Sequence, residues 1–448
     1  MIDREHIASE CALSRRELLR VTSIAAGAWL LPHTITADDS PCAKRPKVAA
    51  IFDVFRHRSH ANVILENFLL PYYFNGKRIT PCMDVVSFFA DQMPDGEIAA
   101  VVSKEFGIPI YRTIDEALCL GGKKLAVDAI LSIAEGGDYQ LNELGQKEYP
   151  RQRFFNEIVT VMERSQRIVP LFSDKHLSYR WNQAKAMYDT ARRLKIPFMA
   201  GSSVPLAERR PALEIPVGSK ITEAVAIHGG PVEVYDIHAL EILQSIVESR
   251  GTGESGVSRV EFLHGAALWK AADVGRWSRS LAEAAMHAEL GDRSEPLAPV
   301  PGEDAVDPHG VLITYKDGLK ATVLKLGENN TRWNFACRIQ GESEIRATRF
   351  IVGPWRNRYL FKAFSHAIQE HFLQADPPCP VERTLLTTGI LAAAMNSRQQ
   401  QMPVTTPELE FGYKPRDFSA FREMGETWKV IDVDLPEPRN QLDRSAVR

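Results

Sequence analysis

The sequence predicts an α/β protein in two parts: a doubly wound parallel sheet, then an α+β unit with an open, mostly antiparallel sheet. Three observations carry this. From Lys47 to Gly201 six short β-rich runs alternate with longer helical patterns, the signature of right-handed βαβ crossovers. After Pro205 strand-like runs are grouped together, as in antiparallel or mixed sheets covered on one side. A chain of 448 residues with 44% hydrophobic and 25% charged content is globular and too long for one ordinary core.

The six runs are KVAAIF (47–52), DVVSFFA (84–90), IPIY (108–111), AVDAILSI (126–133), RIVPLF (167–172) and IPFMAG (196–201). β-Branched and aromatic residues fill them, as strands buried in a parallel sheet require. Before the sixth, Trp181, Ala184, Met187, Tyr188, Ala191 and Leu194 recur at helical spacing, with Ser178 as the expected N-cap. Residues 44–205 therefore read as a Rossmann-like domain. In the second part, residues 206–435, AVAIHGG, VSRVEFLHG, GVLITYKDGLKATVLKL, TRWNFACRIQG and RATRFIVG read as strands. HALEILQSIVESR and GRWSRSLAEAAMHAEL interrupt them as helices, and helices near 362–374 and 381–398 close the unit. The acidic, Pro-rich stretch 294–310 reads as a surface loop and 436–448 as a flexible tail.

Lys plus Arg total 54 against 57 Asp plus Glu, and no long basic block is present, so a nucleic-acid partner is not expected. The six cysteines lie far apart without a C-x-x-C pair, which favours buried or free thiols. Residues 1–43 read as a twin-arginine export signal and linker: Arg15 and Arg16 precede the apolar run VTSIAAGAWLL. That run is shorter than the roughly 20 residues a bilayer span needs, so stable membrane insertion is not expected. The expected location is periplasmic, with the twin-arginine export machinery as a partner.

In a doubly wound sheet the ligand lies at the carboxyl ends of the strands, so the residues following each strand are the ones to inspect. The first turn, DVFRHRS, has none of the glycines that let a dinucleotide approach the backbone; Phe52, Val54, Phe55 and His57 stand in their places and are expected to crowd a diphosphate. Arg56, Arg58 and Ser59 can hold phosphate oxygens there, or belong to a solvated loop. Asp91 closes the second strand, where an acid takes ribose hydroxyls or caps the strand; the insertion LLPYYFNGKRITPC separates it from the turn. After the fourth strand Glu135 directly abuts the apolar run. His228, Glu233, Asp236, His238 and Glu241 match no strong metal motif, and no metal is expected.

Several runs resemble the glucose-fructose oxidoreductase / inositol dehydrogenase family, Gfo/Idh/MocA. SKEFGIPIYRTIDEAL, VDAILSIAE and VPLFSDKHLSYRWNQAKAMYDTARRLKIPFMAGSSVP are similar to its segments through the third to sixth strands, HGGPVEVYDIHALEIL to its glycine-rich strand ending in His-x-x-Asp, and CPVERTLLTTGILAAAMNS to its closing helix. The resemblance implies a divergent NAD- or NADP-dependent oxidoreductase acting on a sugar, polyol or related carbohydrate. It aligns Lys175 with the family's Glu-Lys-Pro lysine, with Asp174 and His176 as its neighbours, and His238 and Glu241 with His-x-x-Asp. Lys175 then polarises the substrate oxygen, His238 exchanges its proton, and Glu135 lies beside the nicotinamide. A homo-oligomer is implied in the same way. Two other readings stay open: a non-redox carbohydrate-binding or scaffold protein, and a lyase or hydrolase using the same cleft.

Overall fold

The computed structural model describes residues 45–297, 308–353, 355 and 357–431. The expected export signal and C-terminal tail, and most of the expected acidic loop, lie outside them. The first part runs β1 (Lys47–Phe52), α1 (His60–Leu69), β2 (Tyr72–Phe74), β3 (Lys77–Ile79), β4 (Asp84–Ala90), α2 (Ala99–Phe106), β5 (Ile110–Tyr111), α3 (Ile114–Cys119), β6 (Ala129–Ile133), α4 (Arg151–Ser165), β7 (Leu171–Asp174), α5 (Trp181–Leu194) and β8 (Phe198–Gly201). Six of these strands form one sheet in the order β5-β4-β1-β6-β7-β8, every pair parallel.

Strand starts differ from the sequence reading at prolines. β5, β7 and β8 begin after Pro109, Pro170 and Pro197, which have no N–H to place in a ladder. Ser178 does not cap α5: that helix starts after Arg180, and the Ser178 hydroxyl donates to Gln183 Oε1 at 2.5 Å instead. The insertion before β4 forms the β2–β3 hairpin, turned by Asn75 and Gly76, both at left-handed φ.

The second part runs β9 (Glu208–Arg210), β10 (Ile221–His228), α6 (Asp236–Val247), β11 (Val257–His264), α7 (Gly265–Asp273), α8 (Arg279–Leu290), β12 (His309–Tyr315), β13 (Lys320–Lys325), β14 (Trp333–Ile339), β15 (Arg346–Ile351), α9 (Asn357–Gln374), α10 (Val381–Gln400) and β16 (Val404–Thr405). Its eight-stranded sheet, β16-β11-β12-β13-β10-β14-β15-β9, is antiparallel except for β10 against β13.

Two late helices bind this sheet to the first. From α9, Arg358 donates to Glu66 of α1 at 2.9 Å and Gln369 to the Asn67 carbonyl at 3.0 Å. From α10, Thr384 donates to the Ala200 carbonyl at 3.1 Å while Arg383 pairs with Glu248 just past α6. The apolar core is continuous through these helices: Phe172 of β7 meets Phe364 of α9 edge to face.

No helix among the described residues is long and apolar enough to cross a membrane. Cys119, Cys337 and Cys379 are free thiols, but Cys82 is disulfide-bonded, a correction to the expectation of free thiols throughout. Distance along the sequence does not report distance in the fold.

Candidate functional site

The first sheet reverses its winding between β1 and β6, and ligands of such sheets lie at the carboxyl ends beside that reversal. A cavity of about 380 Å3 opens there, with Arg58, His60, Glu135, Lys175, His238 and Trp333 among its walls. Lys175 follows β7 with a left-handed φ of 62°. That conformation costs a non-glycine residue on the order of 1 kcal/mol. It is held because the Lys175 N–H donates to the Gly201 carbonyl at 3.0 Å and the buried ammonium lies 2.7 Å from Glu135 Oε2.

Glu135 stands just past β6, and its other oxygen lies 3.4 Å from His60 Nε2. His60 in turn places Nδ1 2.6 Å from Asp174 Oδ2. Burial alone raises a carboxyl, but here it is outweighed: His60 and Lys175 hold Glu135 below its ordinary value. The result is a four-residue polar chain, Lys175–Glu135–His60–Asp174, along the strand ends.

His238 enters from the second part, in the first turn of α6. Its Nδ1 lies 2.6 Å from Ser202 Oγ, which also accepts the Val204 N–H at 3.1 Å. Trp333 and Tyr235, stacked on each other 5.1 Å apart, close around the imidazole. Burial first, then the nearby Lys175 charge, pushes His238 well below the usual histidine range, so the ring is neutral.

Lys175, Glu135 and His238 thus line one cavity. His60, Asp174 and Ser202 complete the network without having been singled out as site residues. His60 is the first residue of α1, so the strand-end rule applied to the first crossover points to it. Glu241, one helical turn past His238, accepts from Thr387 of α10 at 2.7 Å and is not a cavity wall.

Of the residues weighed for metal binding, His228 and Asp236 are brought together, joined by His309. Asp236 Oδ1 lies 3.0 Å from His228 Nε2 and 2.8 Å from His309 Nε2, and Oδ2 accepts the Glu233 N–H at 2.7 Å. The Gly230 N–H donates to His228 Nδ1 at 3.3 Å, which leaves the proton on Nε2, facing Asp236. Glu233 belongs elsewhere, 3.4 Å from His176.

The first turn differs from the crowding expected of it. Phe52 and Phe55 are fully buried, edge to face with each other and with Phe88 at centroid distances of 5.4 to 6.2 Å, so both rings point into the core. Asp53 closes the crevice instead. Its carboxylate accepts the N–H groups of Gly136 at 2.9 Å and Gly137 at 3.0 Å, across the reversal of the sheet. Ser59 caps α1, accepting from Asn62 N–H at 3.4 Å and from Arg56 N–H at 3.1 Å. The exposed Arg56 lies in the turn; Arg58 donates to the Trp355 carbonyl at 3.1 Å and forms part of the cavity wall. Asp91 is engaged on both oxygens, by Arg153 at 2.5 Å and by the Tyr139 hydroxyl at 2.8 Å. Polar groups thus line the cavity and cations lie in the turn, while the Asp53 carboxylate occupies the crevice.

No protein-family model and no curated protein sequence matches the chain. Solved structures do. GenD2 from gentamicin A biosynthesis, solved in complex with NAD, superposes with a TM-score of 0.52 at 11% identity over 81% of this chain and 97% of its own. Myo-inositol 2-dehydrogenase from Lactobacillus plantarum gives 0.51 at 12% identity over 81% and 99%. Apo scyllo-inositol dehydrogenase from Lactobacillus casei gives 0.51 at 10% identity over 81% and 98%. At such identities the likeness is one of fold, and this chain shares the two-part fold of these dehydrogenases over nearly their whole length.

Proposed function

We propose that this chain is an NAD- or NADP-dependent oxidoreductase acting on a hydroxyl or carbonyl group of a sugar, polyol or related carbohydrate. The observation that carries the reading is the convergence of the Lys175–Glu135 ion pair and the neutral His238 on one cavity at the strand ends of a fold used by dehydrogenases. The nicotinamide, when bound, accepts or gives the hydride that no side chain can supply.

The chain's own residues manage the oxygen and its proton. Lys175 donates a hydrogen bond to the substrate oxygen and stabilises alkoxide charge as it develops, with Glu135 keeping the ammonium in place. His238 takes the hydroxyl proton on Nε2 when its Nδ1–H donates to Ser202, and returns it in the reverse direction. Trp333 and Tyr235 shield that exchange from water. Arg58 is placed for a phosphate oxygen. Export to the periplasm belongs to the same proposal and rests on Arg15 and Arg16 ahead of an apolar run.

The test is turnover of a panel of sugars and polyols with NAD and NADP. Wild type is expected to reduce cofactor with at least one substrate. Lys175→Ala and His238→Ala are each expected to lower kcat by about a hundredfold or more. A specific observation favours a second reading. Asp53 presses a carboxylate into the crevice where a diphosphate runs in dinucleotide enzymes. In that reading the cleft binds a carbohydrate without redox work, and ligand binding survives Lys175→Ala and His238→Ala with no turnover in either.

A further inference from the structure

A second cavity, of about 390 Å3, lies between the β9–β10 connection, the end of α6 and residues 415–422. Ser245 on its wall stands two helical turns beyond His238, about 10 Å along the α6 axis. Two arginines line this cavity with side chains only 8% (Arg209) and 4% (Arg422) exposed. Arg209 donates to the Leu213 carbonyl at 2.9 Å, while Arg422 pairs with Glu214 and touches the Met424 sulfur at 3.7 Å. Neither Nε has a hydrogen-bond partner, and the Arg209 guanidinium lies over the Phe350 ring, 5.5 Å from its centroid.

Formal charges around the cavity are even, with Arg209, Arg383, Arg416 and Arg422 against Glu214, Glu248, Asp376 and Asp417, but they are unevenly paired. Arg416 is matched by Asp376 through two bonds of 2.5 Å, and the nearby Arg383 by Glu248. Arg209 and Arg422 share one carboxylate, Glu214, which is 64% exposed and 3.9 Å from Arg209. Asp417, on the rim, accepts the Ser419 N–H at 2.9 Å and feels the Arg422 charge from there. Burial first, and then the like charge of Arg422, presses Arg209 down to about 9. Buried cations with unused donors are costly unless an anion meets them.

We propose that this cavity binds the oxyanion group of a small molecule, a phosphate, sulfate or carboxylate, between Arg209 and Arg422, with the body of the ligand against Ile215, Ile246 and Phe418. The site is separate from the strand-end cavity and independent of the redox reading.

The test is calorimetric titration of the purified chain with inorganic phosphate, sulfate, glucose 6-phosphate and glucuronate, with thermal melting alongside. At least one probe is expected to bind and to raise Tm, and the phosphate and carboxylate arms show which oxyanion is preferred. Arg209→Gln and Arg422→Gln should each weaken binding about tenfold or more, the loss of a charge-assisted hydrogen bond. Glu214→Gln, on an exposed side chain, should tighten it by removing the competing carboxylate. Lys175→Ala should leave it unchanged. No heat and no Tm shift with any probe at millimolar concentration overturns the proposal. So does binding that is indifferent to all three cavity variants, or that is lost in Lys175→Ala.

Discussion

Lys175 and Glu135 hold each other in a place where neither charge is stable alone, because a buried ion without its partner is left with its full desolvation cost. His238 is different: it is useful because it stays neutral. Burial and Lys175 lower its proton affinity, so a proton-accepting imidazole is present on both sides of pH 6.5, and kcat is expected to stay level as pH falls from 8 to 6. An acid limb with a midpoint at the ordinary histidine value, measured in the rate of cofactor reduction, would contradict this assignment. A second buried histidine gives a stability test free of the site. His371 titrates at about 4 in the folded chain because burial disfavours its charged form. Its unfolded value is about 6.5, so the unfolded state binds the proton first, and stability present above pH 6.5 is lost as pH falls toward 4. Relative to wild type, His371→Phe should gain up to about 3 kcal/mol between pH 7 and 4 in denaturant titrations. An unchanged difference would mean that the native histidine titrates normally. Lys175, Glu135 and His238 were legible because a strand-end rule and a family-like pattern both point at them. Asp53 was not: it bonds to backbone N–H groups more than eighty residues away, and such a bond leaves no trace in spacing.

The strands of the first sheet were readable because both of their faces are covered, which turns each into a short apolar run. Their ends were read less well where a proline opens the run, since composition does not show which residue first donates to a ladder. Gly201, which ends β8, shows what such an end does. It sits at φ 126°, accepts the Lys175 N–H, and has Thr384 Oγ1 2.8 Å and Glu241 Oε2 3.0 Å from where a Cβ would stand. Gly201→Ala should therefore cost roughly 1–3 kcal/mol in unfolding free energy, with activity falling beyond what the lost stability explains. Wild-type stability in this variant would show that the bend has room. The loop after β6 makes a second test. Tyr139 holds one Asp91 oxygen, so Tyr139→Phe should tighten NAD(P) binding by up to about tenfold; weaker binding would place Tyr139 in the coenzyme site rather than across it.

Two sheets that share no strand act as one frame because α9 and α10 reach the first part through buried contacts, Arg358 with Glu66 and Thr384 with the Ala200 carbonyl, while Arg383 and Glu248 hold α10 to α6. That frame brings His238 to the strand ends of the other sheet, a meeting of residues 63 positions apart from Lys175 that grouped strands in a sequence imply only in outline. The same frame is shared with enzymes of 10–12% identity, which is why the architecture is secure while the chemistry has to be argued from the site. The central claim is that the cavity beside Lys175 and His238 receives a nicotinamide. Calorimetric titration of NAD and NADP into the purified chain, repeated with Tyr139→Phe, tests it most directly. Saturable binding of at least one coenzyme, tighter in the variant, is the expected result; no binding of either coenzyme by folded wild type or variant contradicts it.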